Sequence, residues 1–271
     1  MRVFRSTRNH RSRHQFFLEC SLTLVFALCF LGALAGLSRL EFLTIDSIDV
    51  AGTKALSKDA VIKSVERELE GSKLLLFPKR NIFIADTDAL SRTLQDEIKV
   101  IDEVRVSFRD VHRLVVNISE RTPHYLWCGE NVSDGESCFF LDQGGFIFSP
   151  APKFTGIVYL RVYGALEGQG TIGNGFLDEV TFRKIGSFVT AMKQAGFNSS
   201  KLIAKGDAEF ELYLENGTKI LFNSSQNLDR ALDNLLLVFS PSESVKKKTT
   251  AGLLYIDLRF NNKVFFKEKE S

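Results

Sequence analysis

The chain has 271 residues and a mass of 30.5 kDa, enough for one or two domains of ordinary size. With 44% hydrophobic, 25% charged and 11% aromatic residues, and only 5 Pro and 19 Gly, it is neither collagen-like, mucin-like nor wholly disordered. The net charge of +2 is unevenly placed: Arg2, Arg5, Arg8, Arg11 and Arg13 all precede the first acidic residue, Glu19, and the remainder is slightly acidic, which argues against a nucleic-acid-binding body.

From Cys20 to Leu37 the sequence runs 18 residues without a charge, and Phe16, Phe17 and Leu18 extend the apolar stretch toward the N-terminus. At a rise of about 1.5 Å per residue, roughly 20 residues cross the hydrocarbon of a bilayer, so residues 16–38 are expected to form a transmembrane helix. The arginine-rich flank places residues 1–15 in the cytoplasm by the positive-inside rule, and everything after residue 38 on the other side. The alternative is a cleaved signal peptide, because Ala33-Leu34-Ala35 has the small-x-small form of a cleavage site.

After the membrane, residues 45–50 alternate apolar and polar as a half-buried strand does, with Gly52 punctuating the end. Ser57 is the expected N-cap of a helix carrying Val61, Val65 and Leu69 on one face, and Asp86 or Thr87 that of a second with Leu90, Leu94 and Ile98. Val104, Val106 and Phe108, then Leu114, Val116 and Ile118, alternate with more polar residues across a short turn at Asp110 to Arg113. The expected order is strand, helix, helix, strand, strand.

Beyond Pro123 the pattern changes to short strands with turn signals: YLW, CFFLD and FIF, then two hairpins divided at Asn216-Gly217 and Asn261-Asn262. Asn-Gly is the favoured pair for a type I′ turn. Two helices are expected at 177–195 and 225–239, the second with Leu228, Leu232, Leu235 and Phe239 as its apolar face, and residues 267–271 as a frayed polar tail. The fold class is therefore α+β, the second half being a mostly antiparallel sheet with helices on one side.

Cys20 and Cys29 lie in the apolar segment, whereas Cys128 and Cys138 bracket a polar hairpin loop. A disulfide between the latter two is expected in an oxidising compartment, two free thiols in a reducing one. His124 is the only imidazole near them, too few ligands for a zinc site.

Several segments in this order carry a resemblance: IDSIDVAG, the helix SKDAVIKSVERELEG, VIDEVRVSFRD, E-R-x-P at Glu120 to Pro123, D-x-x-G at Asp142 to Gly145, and D-L-R-F at Asp257 to Phe260. Together they resemble the FtsQ/DivIB family of bacterial cell-division proteins over nearly the whole chain. The resemblance implies a POTRA domain at 43–122, a β-domain at 123–266, and a non-enzymatic single-pass scaffold of the division complex in the bacterial inner membrane at the septum. It further implies partners of the FtsB/DivIC and FtsL type, with no nucleic acid, small-molecule substrate, cofactor or metal. Cys128, Cys138 and the Asp110-Val111-His112 turn depart from the family pattern.

Three other motifs invite chemistry and lack its context. Gly168 to Gly173 matches G-x-G-x-x-G, but three residues part it from the preceding strand and no run of βαβ units surrounds it. Ser244-x-x-Lys247 matches a penicillin-binding nucleophile, but it follows a helix and has no S-D-N or K-T-G partner in order. Only His112 and His124 could serve a hydrolase triad, and both occupy turn or strand-end positions. An exported enzyme acting on the cell wall is the competing function. A third is a POTRA module of an outer-membrane assembly factor, which would need a barrel of about 10-residue membrane strands.

The sequence directs attention to its end. Tyr255, Asp257 and Arg259 are expected on one face of a terminal edge strand and Ile256, Leu258 and Phe260 on the other, with the edge available to a partner strand. By the resemblance, Arg259 contacts the partner and Phe260 is its aromatic neighbour. Arg259 is expected to be solvated and of little weight in stability.

Overall fold

The computed structural model describes residues 13–132, 137–166, 170–206, 208–240, 248–260 and 262–269. Arg2 to Arg11, part of the glycine-rich stretch, Ser244 to Lys247, Asn261 and the last two residues lie outside them. The fold is α+β, with an N-terminal apolar helix and a large, mostly antiparallel sheet. Its contacts divide the chain into two units: residues up to Glu97 with Glu103–Ser119, and Ile98–Asp102 with Glu120–Ser271.

In the first unit, α1 (Arg13–Leu37) holds the apolar segment Phe16–Leu37, 22 residues with mean hydropathy 2.3, long enough to cross a membrane. Its Leu and Phe side chains are exposed to the surroundings. The Ser21 and Thr23 hydroxyls donate to carbonyls three or four residues back, so these two polar groups are satisfied within the helix.

A single 3-10 turn (Glu41–Leu43) leads to β1 (Ser47–Ala51), α2 (Lys58–Leu69), a two-stranded ribbon of β2 (Ser72–Lys73) and β3 (Phe77–Pro78), α3 (Thr87–Glu97), β4 (Ile101–Phe108) and β5 (Arg113–Glu120). β1 pairs parallel with β5, which lies between β1 and β4. The ribbon is an addition to the expected order.

Val61, Val65 and Leu69 of α2 and Leu90 and Leu94 of α3 are buried with Leu114, Val116 and Ile118 of β5, following the 3.6 and 2 periodicities of helix and strand. Ser57 stands at the start of α2 but makes no capping bond with its side chain. Asp86 caps α3 by accepting from the Ala89 N–H at 2.9 Å, a bond that holds its carboxyl below the ordinary range. Gly52 follows β1 at φ +88°, where a Cβ would stand 2.0 Å from the Ile118 carbonyl oxygen; only glycine lets the chain turn here against β5.

The second unit contains β6 (Tyr125–Trp127), β7 (Phe139–Leu141), β8 (Ile147–Pro150), β9 (Leu160–Tyr163), α4 (Glu179–Gln194), β10 (Ser199–Gly206), β11 (Glu209–Leu214), β12 (Lys219–Asn223), α5 (Leu228–Val238), a small ribbon of β13 (Phe239–Ser240) and β14 (Lys248–Thr249), β15 (Leu253–Asp257) and β16 (Phe265–Glu268). Nine strands form one sheet in the order β16-β15-β12-β11-β10-β9-β6-β7-β8. Three of its pairings are parallel, β6–β9, β9–β10 and β12–β15. The last two are joined by the crossovers that carry α4 and α5, as parallel pairing of successive strands requires.

The helices bring Phe182, Ile185, Phe188, Met192, Leu228 and Leu235 onto the inward residues of β11 and β12, among them Phe210, Leu212, Ile220 and Phe222. Full burial of each large side chain is worth about 1.5–3 kcal/mol, which makes this core the main support of the unit. A smaller cluster comprises Leu126, Cys128 and Tyr163 with Phe140, Phe154 and Tyr159 beside them, and the Cys128–Cys138 disulfide lies in it.

Two local expectations change. Gly217 has φ +83°, but Asn216 does not have positive φ, so the β11–β12 connection is not type I′. Leu214 and Thr218 close a three-residue loop in which Gly217 donates to the Leu214 carbonyl, and Asn216 Oδ1 accepts from the Thr218 N–H. That is the type I turn with a glycine bulge, and the Asn side chain stabilises it without needing a left-handed backbone. Lys267 and Glu268 belong to β16 and are not part of a frayed tail.

Candidate functional site

Two motif regions separated in sequence meet in the second unit. Arg121 Nη1 donates to Asp142 Oδ2 at 2.5 Å and lies 3.1 Å from Asp102, while its guanidinium stacks 4.3 Å from the centre of the Phe146 ring. The other Asp142 oxygen accepts from the N–H groups of Gly144 and Phe146 and so closes the turn before β8. Gly145 in that turn has φ +84°, and a Cβ there would stand 2.7 Å from the Phe182 ring. The E-R-x-P and D-x-x-G segments thus form one joint: an ion pair fixes a turn whose glycine lets α4 approach.

At the other end of the sheet, Tyr255 and Asp257 lie on β15, which is hydrogen-bonded to β12 on one side and β16 on the other. This corrects the expectation that these residues line the edge strand; the terminal strand is β16. The alternation expected through Phe260 also stops early, because β15 ends at Asp257. Tyr255 is half-buried, Asp257 is buried at 6% exposure, and Phe260 is 50% exposed.

Arg259 is not a solvated side chain. Its Nε and Nη2 donate to the two Asp257 oxygens at 2.9 and 2.7 Å, its Nη1 donates to both Glu209 oxygens at 3.0–3.1 Å, and its backbone N–H donates to Asp257 as well. Burial pushes the Asp257 carboxyl up, but hydrogen bonds and charge from Arg259 outweigh it and hold the carboxyl below the ordinary range. The same bonds push the Arg259 guanidinium up. Arg259 therefore clamps the end of β15 to the start of β11. No sequence signal pointed to Glu209, 50 residues away.

The clamp supports an apolar ledge. Phe260 meets Phe265 edge to face with ring centroids 5.0 Å apart, and Phe265 and Leu254 are 48% and 43% exposed. All four residues of β16 are exposed. Phe265 is a missed member of this surface, legible only as one of two adjacent phenylalanines in a last strand.

Nearby, on β11 and β12, Glu211 accepts from the Tyr213 hydroxyl at 2.9 Å and from Lys219 at 3.1 Å. Burial, and secondarily the bond and charge of Glu211, push the Tyr213 phenol up to about 12. Burial pushes Glu211 up, but Tyr213, Lys219 and Lys205 together hold it below the ordinary range.

Among the described residues no group of three or more His, Cys, Asp or Glu could hold a metal ion. His112 Nδ1 lies 3.1 Å from the Thr44 carbonyl, and His124 Nδ1 lies 2.9 Å from that of Thr122. The C-terminal site is an exposed aromatic surface on an internally paired ionic clamp. No protein-family model matches this chain, and no curated protein matches it either.

Proposed function

We propose that the chain is a non-enzymatic, single-pass membrane scaffold of the bacterial division complex, of the FtsQ/DivIB kind. In this reading α1 spans the inner membrane with the arginine-rich end in the cytoplasm, residues 43–122 form a POTRA domain, and residues 123–266, with β16 completing the sheet to Glu268, form the partner-binding domain at the septum. The observation that carries it is the C-terminal ledge: Phe260, Phe265 and Leu254 stand exposed on the last strands of a sheet whose interior is well filled. Exposed aromatics clustered on a rigid sheet end are typical anchors of a protein interface.

The partner expected there is a membrane-anchored segment of FtsB/DivIC type, accompanied by FtsL, laid along β16 as an added strand. Phe260 contributes apolar area, and Arg259 positions the strand end from which Phe260 projects. Affinity isolation of the tagged full-length protein from dividing cells should recover FtsB/DivIC-type and FtsL-type proteins. Recovery of neither, with the protein folded and in the membrane, would refute the scaffold reading.

A further inference from the structure

We infer that the first unit rests on the bilayer through an apolar pad formed by Phe42, Phe83 and the Leu74–Leu76 tip of the β2–β3 ribbon. The inference depends on α1 being membrane-spanning, as proposed above. Leu75 is 91% exposed, Leu74 and Phe83 are each 80% exposed and Phe42 is 60% exposed. Folded monomeric domains rarely leave this much large apolar side chain in water within one segment of the chain without a use for it.

The turn that presents the leucines is costly. Leu76 N–H donates to the Lys73 carbonyl across a turn whose two central residues, Leu74 and Leu75, have φ +53° and +64°. Such a turn ordinarily takes Asn-Gly, because at positive φ a Cβ crowds the backbone carbonyl and leucine, unlike asparagine, has no local hydrogen bond to offset it. Two leucines here are unfavourable for the backbone and for hydration at once. Contact with a non-aqueous phase resolves the second of these.

Connectivity names the phase. Asn81, itself buried, donates from Nδ2 to the carbonyl of Ser38 at 2.8 Å, one residue past the end of α1. The Ile82 N–H donates to the Leu43 carbonyl, and the Phe83 N–H donates to Asn81 Oδ1. Residues 81–83 are therefore stitched to the chain where it leaves the membrane helix. At no more than about 3.4 Å per residue, Phe83 and Phe42 lie within about 14 Å of that point, and Leu75 within about 27 Å.

Lys79 and Arg80 are held by Glu68 and Glu66, and the charges that flank the apolar residues in sequence, Arg39 and Lys73 against Glu41 and Glu70, balance, so it is the connection to α1 that names the occupant. The occupant is accordingly the lipid interface in which the chain is anchored.

The test uses the full chain in lipid nanodiscs, with Cys20→Ala and Cys29→Ala and the disulfide intact. An environment-sensitive fluorophore is attached at Leu75→Cys, at Phe83→Cys or, as a check on α1, at Leu28→Cys. The pad predicts blue-shifted emission at Leu75 and Phe83 that is quenched by spin-labelled lipid and reverts toward the aqueous value at Phe83 when Leu74→Glu and Leu75→Glu are added. Deep burial at Leu28 with water-like emission at both pad positions overturns the pad and leaves the membrane helix standing. A blue shift at the pad that spin-labelled lipid does not quench means another protein chain or a second copy covers it, and also overturns the inference. Water-like emission at Leu28 removes the membrane reading itself.

Discussion

The two ends of the nine-stranded sheet are finished in opposite ways. At the β8 end, Ile147 and Phe148 are buried, the Ile147 N–H and carbonyl bond to Asn174 and Gly173, and the strand ends in Pro150, which has no N–H to offer. Phe140 stacks on Phe148, and Cys128–Cys138 closes the neighbouring loop. At the β16 end every residue of the last strand is exposed and two phenylalanine rings stand together at the rim. One end spends its apolar residues on its own core; the other displays them. The contrast favours the β16 end for the proposed partner, because a sheet end that a fold has covered is no longer available to another strand.

The largest stability effect is expected at the covered end. Replacing Cys128 and Cys138 by Ser should destabilise the protein by about 3 kcal/mol in the chain-entropy view of a short loop, read as a lowered thermal midpoint of the full-length protein in detergent. A change within error would show that the small cluster of Leu126, Tyr163 and Phe140 holds this end unaided.

Arg259→Ala comes next, at about 1–3 kcal/mol, because it removes both side-chain donors from the buried Asp257 carboxylate and leaves it only the backbone N–H of residue 259. Its pH dependence follows from the depressed Asp257 carboxyl. The contribution is present above the ordinary carboxylate pKa near 4 and is lost as the pH falls through the lower folded value, so wild type and variant should converge in acid. A constant difference down to the acid unfolding limit would mean that packing of the arginine stem, and not the ion pair, accounts for the loss.

Tyr213→Phe should cost roughly 1 kcal/mol through the bond to Glu211. The phenol is raised in the folded state, so the wild type should lose stability as the pH climbs from about 10, where the unfolded phenol ionises, toward about 12. The variant should lack that part of the alkaline loss; an identical alkaline limb would place the titration elsewhere.

Smallest in stability is Phe260→Asp, at about 0.5 kcal/mol, the low end for an aromatic pair, because the ring is half exposed. Yet it should abolish recovery of the FtsB/DivIC-type partner, whereas Val180→Asp, at a still more exposed site on α4, should not. Equal retention by both variants would move the interface away from this rim.

Local features were legible from the residues alone. The apolar run of α1 needs no partner to declare itself, and the faces of α2 and α5 follow from their spacing because helical periodicity is a property of adjacent residues. The β11–β12 hairpin was placed by its turn residues, although the glycine bulge at Gly217 was not, since Asn-Gly serves both geometries and the pairing of Leu214 with Thr218 decides between them. The D-L-R-F segment drew attention to the last strands but did not show the roles that Asp257 and Arg259 have in the fold.

Tertiary structure decided those roles. That β15 is an interior strand depends on β12 pairing with it in parallel, a contact across the α5 crossover that no local pattern encodes. Arg259 looked solvated because its carboxylate partner Glu209 lies 50 residues away, and Arg121 revealed its use only when Asp142 folded back onto it. A charged side chain carries the same signal in sequence whether it meets water or an opposite charge. Only the chain path that removes the water makes the difference, by leaving the buried Asp257 carboxyl dependent on the guanidinium beside it.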